Sequence, residues 1–265
     1  MATSSGLHIT LSAERLFTVV GFPITNTLLT MWLVMLVLFV VAFFISRKTS
    51  LIPGKFQNTI EWAYEWVYGY VEQGFGDATL TRRYFPLIAT IFFFIFLSNM
   101  FDFLPIFGTL TLSQGGETVP LFHAVDADLN TTLALAIISF LVIELSGIFT
   151  LGALKYGSKF VNVRGSSIGE RLMNLIVGLL ELIGNIVRLI SFSFRLFGAI
   201  FAGEVLLLVI GSFVPYILPV PLMAFEMFIG LLQAAVFAIL TLAFIKIAVA
   251  EPHGGHAEHH AQTAH

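Results

Sequence analysis

From Leu16 to Ser46 the chain carries no charged residue, and a run of that length constrains the fold more than any other feature. About 20 apolar residues in a helix cross the hydrocarbon layer of a bilayer. Inside lipid every backbone N–H and C=O must be paired within the protein, so such a run folds as a spanning helix. Four further segments repeat the pattern: Tyr84 to Phe101, Leu129 to Leu154 with Glu144 interrupting it, Leu172 to about Ser212, and Ile217 to Val249. Composition agrees, because 57% hydrophobic residues, 11% charged residues and a mean hydropathy of +0.93 leave too little polar surface for a soluble globule of 265 residues. The expected fold class is an all-α integral membrane protein forming one membrane domain over 1–265. Met1 to Thr10 lacks the basic stretch, short apolar core and cleavage site of a removable signal, so 16–46 reads as a retained span and 1–15 as an outer N-terminus.

The last two segments are longer than an upright crossing needs. As continuous helices they would measure about 60 and 50 Å, which calls for strong tilt. Neither has a Pro/Gly-rich polar turn in its middle, so neither is split. Orientation follows from the basic residues: Arg47, Lys48, Lys55, Arg82 and Arg83 fall in one connection and Lys155, Lys159, Arg164 and Arg171 in another, while Asp102 to Asp128 has no Lys or Arg. The two basic connections face the cytoplasm, placing the N-terminus outside and the C-terminus inside. Within the first of them, 56–74 sets Ile60, Trp62, Tyr64, Trp66, Val67, Tyr70 and Val71 among Glu61, Glu65 and Glu72. This pattern suits an amphipathic helix at the membrane surface. It equally suits an extramembrane helix packed on the protein.

Polar groups inside the long pair carry the functional reading. Arg195 is a permanent cation within an apolar span, and a residue held there is a functional-site candidate facing a cavity or a partner's carboxylate. Glu181, Arg188 and Arg195 are spaced by seven, so they drift only about 20° per step and are expected to share a surface. Glu204 lies nine residues beyond Arg195, about 13 Å further toward the outside. Glu226 and Gln233 are again seven apart on an antiparallel helix. With Gln233 level with Arg195, Glu226 reaches the height of Glu204. Carboxyls able to take up and release protons suit proton or cation passage, and a fixed cation can close such a path while attracting a mobile carboxylate. Gly184, Ser191, Gly198, Ala199, Ala202 and Gly203 on one segment, and Gly230, Ala234, Ala235 and Ala238 on the other, permit close approach of a helical partner.

The stretch Leu189 to Glu204, reading LISFSFRLFGAIFAGE, resembles the signature of subunit a of the F-type ATP synthases. Leu232-Gln233-Ala234 with Phe237 and Leu240-Thr241, Ser98 to Pro105, and Asp126 to Asn130 with Thr132 and Leu133 extend the resemblance over most of the chain. It implies a stator packed against a ring of c subunits, with a subunit b stalk and the other synthase subunits as partners, in the plasma membrane of a bacterium. It further implies that Arg195 displaces the proton from each ring carboxylate and blocks leakage. Glu204, Glu226, Gln233, Asn99 and Asp102 would line an outer half-channel, and Glu181, Arg188 and Ser191 an inner one. The chain departs from the family pattern at Ala199, where asparagine is usual, at Glu226, where histidine is frequent, and at Leu189, where proline is common.

Other classes fit less well. A stand-alone proton- or cation-coupled transporter is the alternative, but no internal repeat is visible. No nucleophile motif, zinc motif or phosphate-binding loop appears, so no catalytic chemistry is expected in this chain, and neither a cofactor, a metal nor a nucleic acid is implied. Protons, rather than sodium ions, are the expected cargo. The tail from 251 to 265, with His253, His256, His259, His260 and His265, reads as a flexible terminus.

Overall fold

The computed structural model describes residues 15–19, 21–47, 54–103, 110–114, 117–152, 156–157, 168–214 and 217–250. The expectations for the N-terminus before Arg15, for Lys48, Lys155, Lys159 and Arg164, for the third span beyond Gly152 and for the histidine tail lie outside the described residues.

Among the described residues six helices make the body: α1 (Asn26–Arg47), α2 (Lys55–Phe75), α3 (Ala78–Phe101), α4 (Leu129–Leu151), α5 (Ile168–Phe213) and α6 (Pro219–Val249). All but α2 are long and apolar enough to cross a membrane. Two short antiparallel ribbons accompany them, β1 (Arg15–Val19) with β2 (Phe22–Thr25) and β3 (Thr111–Gln114) with β4 (Glu117–Pro120). The first ribbon corrects the start of the first span. Phe17–Val19 pair antiparallel with Phe22–Ile24 instead of continuing a helix, and Gly21, before the second strand, has a φ of 85° in the left-handed region. Helix α1 then starts at Asn26, where the Thr25 hydroxyl accepts from the Leu28 N–H at 3.3 Å. The other starts also follow local caps. Helix α3 begins at Ala78 rather than Tyr84, because the Asp77 carboxylate accepts from the Thr79 N–H at 2.7 Å. Asp128 does the same for α4, accepting from the Asn130 N–H at 3.0 Å. In α5, Glu170 lies in the first turn, where a negative charge suits the helix dipole. Helix α6 begins at Pro219, a residue whose missing N–H costs nothing there.

Helices α4, α5 and α6 pack on one another, α3 packs on α6, α1 flanks α3, and α2 lies across α3 and α6. Ile88 and Ile95 of α3, Leu196 of α5, Ala234 and Ile245 of α6 and Val34 of α1 are completely or almost completely buried. Helix α5 has 46 residues and α6 has 31. They therefore measure about 69 and 46 Å against a hydrocarbon layer of about 30 Å. Helix α2 combines features of both expectations for it. Val67, Val71 and Phe75 face the protein, whereas Phe56, Trp62 and Tyr70 are exposed. Its last turn is tied to α6, since Lys246 Nζ donates to the Gly74 carbonyl at 2.6 Å and Leu242 occupies the space a Cβ at Gly74 would need.

Candidate functional site

Arg195 lies on an open face of α5. It is exposed, forms no ion pair among the described residues, and its one hydrogen bond is the donation from Nη2 to Ser191 Oγ at 3.3 Å. Around it the surface is apolar and small. Phe194, Ile190 and Val187 are exposed, and a Cβ at Gly184 or Gly198 would meet nothing within 4 Å. The small residues of α6 behave differently from the expectation that they serve a partner. Gly230, Ala234 and Ala238 are buried, and Gly230 lies against Asn99 of α3 so closely that a Cβ there would stand 2.8 Å from the Asn99 Cβ. Their smallness is used inside the chain.

Glu204 of α5 and Glu226 of α6 come together. Gly203 has no space for a side chain because the Glu226 carboxylate fills it, and Glu226 is buried with Oε2 unpartnered. A cavity of about 280 Å³ opens beside this carboxylate, lined by Ala199, Ala202, Gly203, Leu206, Leu222 and Glu226 among others. The position where the family usually has an asparagine is thus an apolar wall of that cavity. Gln233, two turns along α6 from Glu226, is also buried. Asn99 is buried near the end of α3 and donates from Nδ2 to the Gly230 carbonyl at 3.2 Å, which holds α3 against α6. Asp102 follows the last residue of α3. Burial raises the pKa of its carboxyl well above the ordinary range, and the charges of Glu204, Asp126 and Glu226 raise it further. Asp102 is therefore the group on which the charges of Glu204, Asp126 and Glu226 converge.

The residues expected to line an inner half-channel do not share one environment. Arg188 places its guanidinium over the Phe244 ring of α6, 4.0 Å from the centroid, whereas Arg195 stands exposed. The small drift of a seven-residue spacing is overridden by the long side chain, which finds an aromatic face to cover. Ser191 is bonded to Arg195. Glu181 is half-buried and, with Arg188, acts on the Tyr156 phenol. Beside them Glu144 of α4 accepts from Tyr156 OH at 2.7 Å and from Asn185 Nδ2 at 3.0 Å. Burial, and next the bonded Glu144, push the Tyr156 pKa up. Gly147 leaves room for the tyrosine ring. Tyr156 and Asn185 were not singled out from the sequence, where neither stands in a motif.

Two outer residues were also missed or undervalued. His123 Nδ1 lies 3.9 Å from Glu204 Oε1. Asp126, which opens one of the stretches carrying the resemblance but which the sequence gives no role, is 0% exposed, and among the described residues neither of its carboxylate oxygens has a hydrogen-bond partner. Its neighbour Asp128 is the helix cap and also accepts from Thr27 Oγ1 at 3.3 Å. No group of three or more residues suited to holding a metal occurs among the described residues.

A profile of the family described as ATP synthase A chain matches residues 28–246. Among similar curated proteins, ATP synthase subunit a of Campylobacter jejuni subsp. doylei is 34% identical over 213 residues, covering 80% of this chain and 85% of that protein. ATP synthase subunit a of Moorella thermoacetica is 31% identical over 223 residues, 84% and 90% of the two chains. ATP synthase subunit a 2 of Syntrophotalea carbinolica is 32% identical over 248 residues, 93% and 94%. With a matching profile that spans most of the chain, and relatives above 30% identity aligned over nearly their whole lengths, this multi-pass membrane protein belongs to the ATP synthase A chain family.

Proposed function

We propose that the chain is the stator of the synthase membrane sector, with two offset proton half-channels that meet at a ring of c subunits. Arg195 displaces the proton from each arriving ring carboxylate and bars direct passage between the half-channels. The observation that carries this reading is the setting of Arg195. A permanent cation exposed on an apolar, small-residue helix face is costly in lipid, and a carboxylate on a closely packed partner relieves that cost. Helices α5 and α6 lean as a hairpin along the ring, which uses lengths that exceed an upright crossing. Glu204, Glu226, Gln233, Asn99 and Asp102 line the outer path, and Glu181, Arg188 and Ser191 the inner one. Subunit b and the remaining synthase subunits complete the complex in a bacterial plasma membrane, with the N-terminus outside and the exposed aromatics of α2 at the cytoplasmic interface.

The test is ATP-driven proton pumping by membranes carrying the assembled complex with Arg195→Ala or Glu204→Gln. Both are expected to lower pumping by more than about tenfold. Native pumping by Arg195→Ala in a fully assembled complex overturns the reading.

A further inference from the structure

The loop between β4 and α4 is built into the outer carboxyl cluster rather than laid over it. Residues Ala124 and Ala127 pack on Ile200 of α5. The His123 N–H donates to Thr30 Oγ1 at 3.2 Å, and Thr27 Oγ1 donates to Asp128 at 3.3 Å, so the first turn of α1 holds the loop at two points. Between these clamps the Asp126 side chain is 0% exposed, and no donor meets either carboxylate oxygen. Asp126 is also close enough to Asp102 for their charges to interact. A helix cap would accept a backbone N–H and a structural ion pair would have a cation, and Asp126 has neither. An unpaired carboxylate at that depth is costly unless it carries a proton.

We propose that Asp126 is the proton-loading carboxyl of the outer path, receiving protons from the outer side and passing them to Asp102 and the Glu204–Glu226 pair. This rests on the half-channel reading above and adds a group to it. In each cycle an O–H bond forms on Asp126 with a proton from outer water. That bond then breaks as the proton moves to the Asp102 carboxylate, and Asp126 is again an anion ready to load. The charged and titratable groups beside it are Asp102 at the end of α3, whose charge interacts with its own, and His123 and Asp128 in its own loop; Glu204 of α5 and Glu226 of α6 act in turn on Asp102. His123 lies 3.9 Å from Glu204, so when protonated it favours the Glu204 anion, the form that accepts the next proton. Burial raises the Asp126 pKa from 3.8 to about 8, which lets it load at an alkaline outer surface.

The experiment measures ATP synthesis driven by a fixed membrane potential in proteoliposomes of the whole complex, varying the pH on the side opposite the soluble sector, which the outer path faces, with the pH on the other side held constant. Asp126→Asn, whose amide cannot load and release a proton, is expected to lose about tenfold in rate near pH 8 and less than about twofold near pH 6, where protons reach Asp102 and the Glu204–Glu226 pair directly. Asp126→Glu restores the rate near pH 8. Asp126→Ser, neutral and smaller, repeats the Asn profile if the amide hinders assembly. An equal loss at both pH values in assembled complex, or no loss at either, overturns the proposal. Glu204→Gln in the same assay separates the two levels. If it blocks synthesis while Asp126→Asn shows no pH-dependent deficit, only the loading role fails, and if Glu204→Gln leaves synthesis intact, the outer path itself fails.

Discussion

At the scale of single residues, the outer cluster depends on one missing side chain. Gly203 is where α5 makes way for the Glu226 carboxylate, and an alanine there would place its Cβ 2.7 Å from Glu226 Cδ. Gly203→Ala is expected to assemble yet lower ATP-driven pumping by about ten- to hundredfold, because the displaced carboxyl no longer meets Glu204. Asp126 supplies a prediction of a different kind. The folded chain holds its proton more tightly than the unfolded chain, with a pKa of about 8 against 3.8. This contribution to stability is therefore complete below about pH 4 and is lost as pH rises through about 8. In detergent, the melting temperature should fall between about pH 5 and 8, and Asp126→Asn should flatten that slope. A slope unchanged by the substitution would show that the carboxyl is ionised in the folded chain across this range. Arg195, Glu204, Glu226 and Gln233 stood out in the sequence because a polar group inside an apolar run is costly unless a cavity, a partner or an intramembrane pairing holds it. Asp126 and His123 did not, since an acid or imidazole in a loop is usually solvated and only the three-dimensional fold buries it.

At the scale of elements, the spans were legible and their ends less so. Hydropathy locates a helix by its apolar body, and it cannot distinguish an apolar hairpin such as 16–25 from the first turns of α1. Caps at Asp77 and Asp128 decided two further starts. The pairing of helices was also only half visible, because a small residue shows that something approaches closely without saying what. On α5, Gly184 and Gly198 face open space. On α6, Gly230 and Ala234 are consumed by packing within the chain. Two elements are held by contacts that no motif announces. Gly74→Leu would drive a side chain into Leu242 and loosen α2 from α6, costing about 1–3 kcal/mol in the unfolding of the purified chain. Tyr156→Phe removes the 2.7 Å bond to Glu144 and should cost about 1 kcal/mol or somewhat more. A loss below about 0.3 kcal/mol would mean that Glu144 is held mainly by Asn185.

At the scale of the whole molecule, the chain is an incomplete structure by its own physics. Helix α5 carries the Arg195 guanidinium on an uncovered apolar face, while Asn99 of α3 and Gly230 of α6 are spent on one another. The acidic groups gather toward the end of the pair where α5 gives way to α6, and the Glu144, Tyr156, Asn185, Glu181 and Arg188 set lies on the other side of Arg195 along α5. A cation separating two polar regions of one helix pair is the arrangement a barrier between two half-paths requires. The most direct measurement is passive proton flux, under an imposed potential, through membranes carrying the intact complex stripped of its soluble sector, comparing the native chain with Arg195→Ala. With Arg195 as the barrier, the substituted complex conducts protons at least as fast as the native one while its ATP-coupled pumping is lost. Coupled pumping that survives the substitution, with passive flux unchanged, would contradict the account and leave Arg195 a structural residue.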